Sequence, residues 1–95
     1  MITVLFFASL RDQLGSDKQL INIESLAQFI ASNGTPTEAF NSDQLIAFLC
    51  QNNPNWQSVF SEQKLFIAVN QEIVQAPCPI ADGDEVAFFP PVTGG

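Results

Sequence analysis

Histidine is absent from this chain. That gap removes Ser-His-Asp and Cys-His nucleophile pairs, and His-ligated zinc with them. Cations are nearly as scarce: three Lys and Arg against ten Asp and Glu leave a net charge of −7. Such a balance repels phosphate backbones and argues against nucleic acid as a partner. The two cysteines, Cys50 and Cys78, lie far apart and form no CxxC pair, so neither a redox dithiol nor a structural metal site is expected. No apolar run nears the roughly 20 residues of a membrane span. The apolar N-terminal stretch carries neither a basic n-region nor a small-residue cleavage site, so no signal peptide and no membrane association are expected and the setting reads as cytoplasmic. Disorder is excluded by a 46% hydrophobic content, which is ample to offset chain entropy. Ninety-five residues make one small domain with a single core and little room for a deep cleft. Catalysis by this chain alone is not expected.

Met1 to Ala8 (MITVLFFA) is a β-rich apolar run. Its two faces, Ile2/Val4/Phe6 and Leu5/Phe7, are both apolar, which predicts a central strand buried on both sides. Ser9 to Ser16 reads as a turn or short helical connection, and Lys18 to Ile23 as a second strand completing a hairpin with a long connection. Leu26, Phe29 and Ile30 have helical spacing within 25–32, with Gly34 as a stop and Thr35-Pro36-Thr37 as a break. Asn41 and Gln44 have capping-box spacing ahead of Leu45, Ile46, Leu49 and Cys50, which predicts the main helix over 42–51. Trp56 to Phe60 is expected to form a short turn that packs Trp56 on the core. Leu65 to Asn70 is a third strand, Asn70-Gln71-Glu72 a turn, and Ile73-Val74 a short strand. The prolines of APCPI, residues 76–80, remove ladder donors and exclude a central strand there. Asp82-Gly83-Asp84 is a turn before the last strand, Glu85 to Phe89. It lacks the spaced acidic ligands of a calcium loop.

The first and last strands are the most apolar and do not form a hairpin, so a parallel pairing of the two at the sheet centre follows. A mixed sheet with one main helix across a face, plus a helical insertion around 25–32, is an α+β β-grasp, or ubiquitin-like, arrangement. Residues 1–89 would form that domain and 90–95 an extended tail. Pro90 and Pro91 favour a stiff polyproline segment that projects the end away from the sheet. Gly94 and Gly95 have no side chains, so the backbone can thread a narrow tunnel and the carboxylate is unhindered. Such an end suits activation as an acyl adenylate in another enzyme's slot.

The blocks VLFFASLRDQLG, AVNQE and DGDEVAFFPPVTGG together resemble the MoaD family, the small subunits of molybdopterin synthase. They lie in the family's order at both ends and in the middle of the chain, and cover roughly half of it. The resemblance implies a sulfur carrier with no bound cofactor. An ATP-using E1-like (MoeB-like) enzyme would adenylate Gly95, and a sulfur donor protein would convert it to a thiocarboxylate. Val92, Thr93 and Gly94 would thread a pocket of the MoaE-like large subunit, where sulfur passes to cyclic pyranopterin monophosphate. Acid–base groups would belong to that partner, in a heterotetramer. The stretch 22–40 is longer than the family usually carries. A carrier for thiamine or tRNA thiolation, a ubiquitin-like modifier and a binding module with an inert tail are the alternatives.

Nine phenylalanines in so small a chain require some of Phe7, Phe66, Phe88 and Phe89 to lie near the surface, as a partner-facing apolar patch would. The resemblance implies partner contacts at Phe7, Ile73 and Phe89. Arg11 is the lone arginine and a candidate for a bidentate pair with a partner carboxylate, with Lys64 behind it. The acidic surplus would steer the domain toward basic surfaces. Cys50 reads as a small helix hydrophobe, and Cys78 as an accessible loop thiol.

Overall fold

The computed structural model describes residues 1–32, 40–62 and 64–90. The predicted helix stop at Gly34, the break at 35–37 and the tail from Pro91 to Gly95 lie outside those residues. Alternation organises the sheet. In β1 (Ile2–Phe6) the side chains of Ile2, Val4 and Phe6 are fully buried, while Thr3 and Leu5 on the other face are half-buried. β2 (Lys18–Ile21) pairs antiparallel with β1, and β7 (Glu85–Phe89) pairs parallel with it, Thr3 opposite Glu85 and Phe6 opposite Phe88. β4 (Phe66–Val69) runs antiparallel to β7, and β5 (Glu72–Val74) antiparallel to β4. The order is β2-β1-β7-β4-β5, so the parallel pairing of first and last strands is present, with β7 at the centre. The two-residue β4–β5 loop, Asn70-Gln71, has positive φ at both positions (53° and 69°), the requirement of a tight hairpin turn whose twist matches its strands. β3 (Phe40–Asn41) and β6 (Pro79–Ile80) form a separate two-stranded ladder, which confines the proline-rich segment to a sheet of its own.

Among the described residues four helices cover one face: the expected main helix and the insertion before it, with two short helices at Ser9–Leu14 and Trp56–Glu62 where a turn or short helical connection was expected. α1 (Ser9–Leu14) fills the β1–β2 connection, ends on Gly15 in the left-handed region at φ 68°, and buries Leu10 and Leu14. α2 (Ile23–Ser32) starts two residues earlier than its apolar spacing indicates. The Asn22 side chain accepts from the Glu24 and Ser25 backbone N–H groups at 2.8 and 3.2 Å and satisfies otherwise orphaned donors. α3 (Ser42–Asn52) has the predicted capping box, with Gln44 N–H on Asn41 Oδ1 and Asn41 N–H on Gln44 Oε1, both at 2.9 Å. α2 lies against α3 through Phe29 on Phe48, edge to face at 5.4 Å. α4 (Trp56–Glu62) buries Trp56, whose Nε1–H donates to the Leu14 carbonyl at 3.1 Å. Phe6 is the hub of the core, within 5.3 Å of the Trp56 ring, 6.2 Å of Phe88 and 6.5 Å of Phe60.

Three expectations are corrected. β1 is buried on one face only, because the helices cover a single side; Phe7 is exposed and Leu5 half-buried. Phe88 belongs to the core and not to the surface, since its register with Phe6 turns it toward the helices. Cys78 is buried rather than accessible. The buried Ser42 holds it there: Ser42 Oγ accepts from the Cys78 N–H at 3.0 Å, and the Ser42 N–H donates to the Cys78 carbonyl at 2.9 Å.

Candidate functional site

The face that the helices leave open is the candidate site. Register fixes its composition, because directly paired residues share a face. One row runs Lys18, Leu5, Ala87, Ala68, Ile73 across all five strands. A second places Phe89 beside Phe66, with their rings stacked at 5.7 Å between centroids and 29° between planes. Five large apolar side chains are exposed among the described residues: Met1, Phe7, Leu20, Phe66 and Ile73. Leu20, Phe66 and Ile73 lie on this face by register, and Phe7 lines its groove. Four of the five thus share one face, and exposed apolar area gathered on one side is the usual mark of an interface.

The two small residues make the groove. Ala68 and Ala87 sit opposite each other on β4 and β7, and with larger side chains around them they form the floor of a hollow of about 450 Å³. Phe7, Phe89 and Pro90 wall it, and Gln71 and Glu85 line it too. Ala8, which also lines it, has φ 57° and ψ −139°, a region that only glycine visits easily and that costs an alanine on the order of 1–3 kcal/mol. The chain bends sharply there, so that Phe7 ends on the open face while Leu10 of α1 turns into the core. The Phe7 N–H remains on the Phe88 carbonyl at 3.1 Å.

The structure therefore brings Phe7 and Phe89 together at one groove and puts Ile73 on the same face, across Ala68 from it. It does not bring Arg11 there. Arg11 is exposed on α1 and borders a shallow depression with Asp12, Gly15, Ser16 and Asp17. Its guanidinium has no ion pair among the described residues, where the one such pair joins the Met1 ammonium to Asp82. Lys64 is likewise exposed. Val92, Thr93, Gly94 and Gly95 lie outside the described residues; Pro90, which leads into them, borders the groove. Leu20, Leu5, Ala68 and Ala87 were not legible as site residues, and Phe66 was legible only as a surface candidate. The available signal was the period of two in LFIAV, weak because every position is apolar.

Two further features are accounted for. The 82–84 segment is a turn, with Gly83 at φ 91°, its N–H on the Met1 carbonyl at 2.9 Å, and Asp84 Oδ2 accepting from the Ala81 N–H at 2.8 Å. Among the described residues no group of three or more His, Cys, Asp or Glu could hold a metal ion, and no helix is long and apolar enough to cross a membrane. On the helical side, Phe29, Ile46, Cys50 and Phe60 border a second hollow of about 500 Å³. Burial pushes the Cys50 thiol up from its ordinary range, which makes it a poor nucleophile.

The ThiS family model matches residues 4–95. The chain is 39% identical over 95 residues to the molybdopterin synthase sulfur carrier subunit of Escherichia coli, covering all of both chains. Its structure resembles that of SAMP1 from Haloferax volcanii, with a TM-score of 0.69, 21% identity, and coverage of 99% of this chain and 98% of that one. It also resembles a chain in the complex of subunits 1 and 2 of molybdopterin-converting factor from Helicobacter pylori, with a TM-score of 0.59, 21% identity, and coverage of 99% and 97%. At such identities these two structures speak to the fold, and the fold they share is the β-grasp.

Proposed function

The chain belongs to the ThiS family, and from that membership we propose that it is the sulfur carrier subunit of a molybdopterin synthase, working in the cytoplasm and loaded at Gly95. An E1-like enzyme transfers AMP from ATP to the Gly95 carboxylate and releases pyrophosphate. Sulfur from a donor protein displaces AMP and leaves a thiocarboxylate. The large subunit receives the open sheet face, and Val92, Thr93 and Gly94 pass into its pocket, where the thiocarboxylate sulfur is delivered to cyclic pyranopterin monophosphate. The chain is then the sulfur-donating half of a sulfurtransferase and has no catalytic role alone, which agrees with its lack of histidine.

The observation that carries this reading is the full-length likeness to the Escherichia coli sulfur carrier subunit. Two physical features support it. The exposed apolar patch ends at Phe89 and Pro90, so that face and tail are continuous. A surface of net charge −7 is drawn to a basic partner, and a pocket that binds a phosphorylated pterin needs cations.

Intact mass after incubation with the E1-like enzyme, ATP and a sulfur source tests it. The expected result is a gain equal to exchanging one oxygen for one sulfur, absent when Gly95 is deleted. An unchanged mass with a demonstrably active E1 partner overturns the reading, as does the accumulation of adducts on lysines of other proteins in place of sulfur transfer.

A further inference from the structure

The last rung of the central strand is held from one side only. On the β1 side the register of β7 ends at Phe6 opposite Phe88. Phe89 has one strand partner, Phe66, and Phe66 is the first residue of β4. Pro90 follows at once and has no N–H with which to extend the ladder. A rung at the end of both strands frays unless side chains secure it, and here the securing contact is the Phe66–Phe89 stack at 5.7 Å. Phe66 is itself 39% exposed, so it contributes less to the core than a buried phenylalanine. Its ring lies against Phe89 on the open face and outside the Phe6, Trp56, Phe60 and Phe88 cluster on the helical side.

We propose that Phe66 is a positioning residue for the tail: by stacking on Phe89 it fixes the point at which the sheet ends and the tail begins. The inference rests on the carrier reading above for its functional consequence. With the rung closed, Phe89 and Pro90 stay at the groove beside Phe7, and the tail leaves from a fixed origin. With it open, the origin moves back to Phe88, and the partner must capture the closed form from a mixture. Apparent affinity then falls by the fraction of molecules that are closed, while turnover in the assembled complex is unaffected.

The test compares Phe66→Ala, Phe66→Tyr and Phe66→Leu in the full chain. An aromatic pair adds an increment that corresponds to roughly two- to tenfold in an equilibrium. Phe66→Ala should therefore lower the closed-to-open ratio about fivefold. Because KM follows the closed fraction, KM for the thiocarboxylated chain should rise by a smaller factor, about 1.4-fold from a wild type roughly nine-tenths closed, with kcat unchanged. In the free protein, ¹⁵N relaxation should show the Phe89 amide order parameter falling from about 0.85 toward 0.6, with Phe88 unmoved. Tyrosine keeps the stack and should restore both; leucine keeps apolar bulk without the stack and should restore neither. Unchanged order at Phe89 in Phe66→Ala overturns the proposal. So does equal rescue by leucine, which would make Phe66 an ordinary apolar contact. A wild-type chain that never acquires sulfur sinks the carrier reading instead, and the relaxation comparison, which needs no sulfur chemistry, still decides the clamp.

Discussion

Ile73→Ala separates docking from folding more cleanly than any other single change. Ile73 and Val74 are neighbours on β5 that face opposite ways: Ile73 is 67% exposed on the open face, while Val74 packs against the core. Truncating Ile73 to alanine removes three carbons, each worth about 0.8 kcal/mol when taken fully out of water. About two thirds of that area is still exposed in the free chain, so roughly 1.6 kcal/mol is available to a partner that covers it, or about fifteenfold in Kd. The loss to folding is limited to the strand preference of isoleucine over alanine, a few tenths of a kcal/mol at an edge. Val74→Ala inverts the pattern: it removes packed carbons, weakens the fold by about 1–2 kcal/mol and leaves the docking face intact. Titration calorimetry against the large subunit reads the first quantity. Urea unfolding followed by the fluorescence of Trp56, the lone and buried tryptophan, reads the second. An unchanged Kd for Ile73→Ala would remove β5 from the interface. A loss of stability as large as that of Val74→Ala would mean that the two faces are not as distinct as the register makes them.

Two further predictions concern the fold that holds the face. Ser42→Ala strands the buried Cys78 N–H without its acceptor and should lower stability by about 1–3 kcal/mol; Ser42→Thr, which keeps the hydroxyl, should lose less, and a urea midpoint for Ser42→Ala equal to wild type would refute the bond's importance. Gln71→Gly relieves a non-glycine residue at φ 69° in the two-residue hairpin and completes the Asn-Gly pair such turns favour. It should raise stability by about 0.5–1 kcal/mol, and a fall in thermal midpoint would contradict the turn geometry.

The parts of the fold legible in sequence were those with a periodic or stereochemical signature. The capping box at Asn41 and Gln44 placed α3 to within a residue of its end. The Asp-Gly-Asp turn and the proline pair bracketed β7 at its observed bounds. What was not legible has a common cause. In EVAFF and LFIAV nearly every position is apolar, so period two leaves no polar residue to say which face is outward. That is why Phe88 could not be told from Phe89 until pairing with β1 and β4 fixed the register. Ile23 looks like strand until the Asn22 side chain is seen to cap α2. Arg11 was a candidate for pairing with a partner carboxylate, and the bend at Ala8 and the turn of α1 carry it to a depression away from the groove.

The open face and the acidic surface solve one problem jointly. A carrier must present an apolar patch to its partner and yet remain unpaired while it travels between partners. Leu20, Phe7, Phe66 and Ile73 on one side of a small domain would drive copies together. A net charge of −7 on 95 residues opposes that encounter, because two copies repel while a basic partner is attracted. Selectivity in this arrangement comes from charge, affinity from the patch, and delivery from the rung at Phe66 and Phe89 that hands the chain on to Pro90. Charge depends on residues apart from the other two and can be lost alone, whereas Phe66 belongs to both patch and rung, so its loss touches both. Added salt should therefore slow association with the large subunit while leaving dissociation, which the apolar contacts govern, almost unchanged.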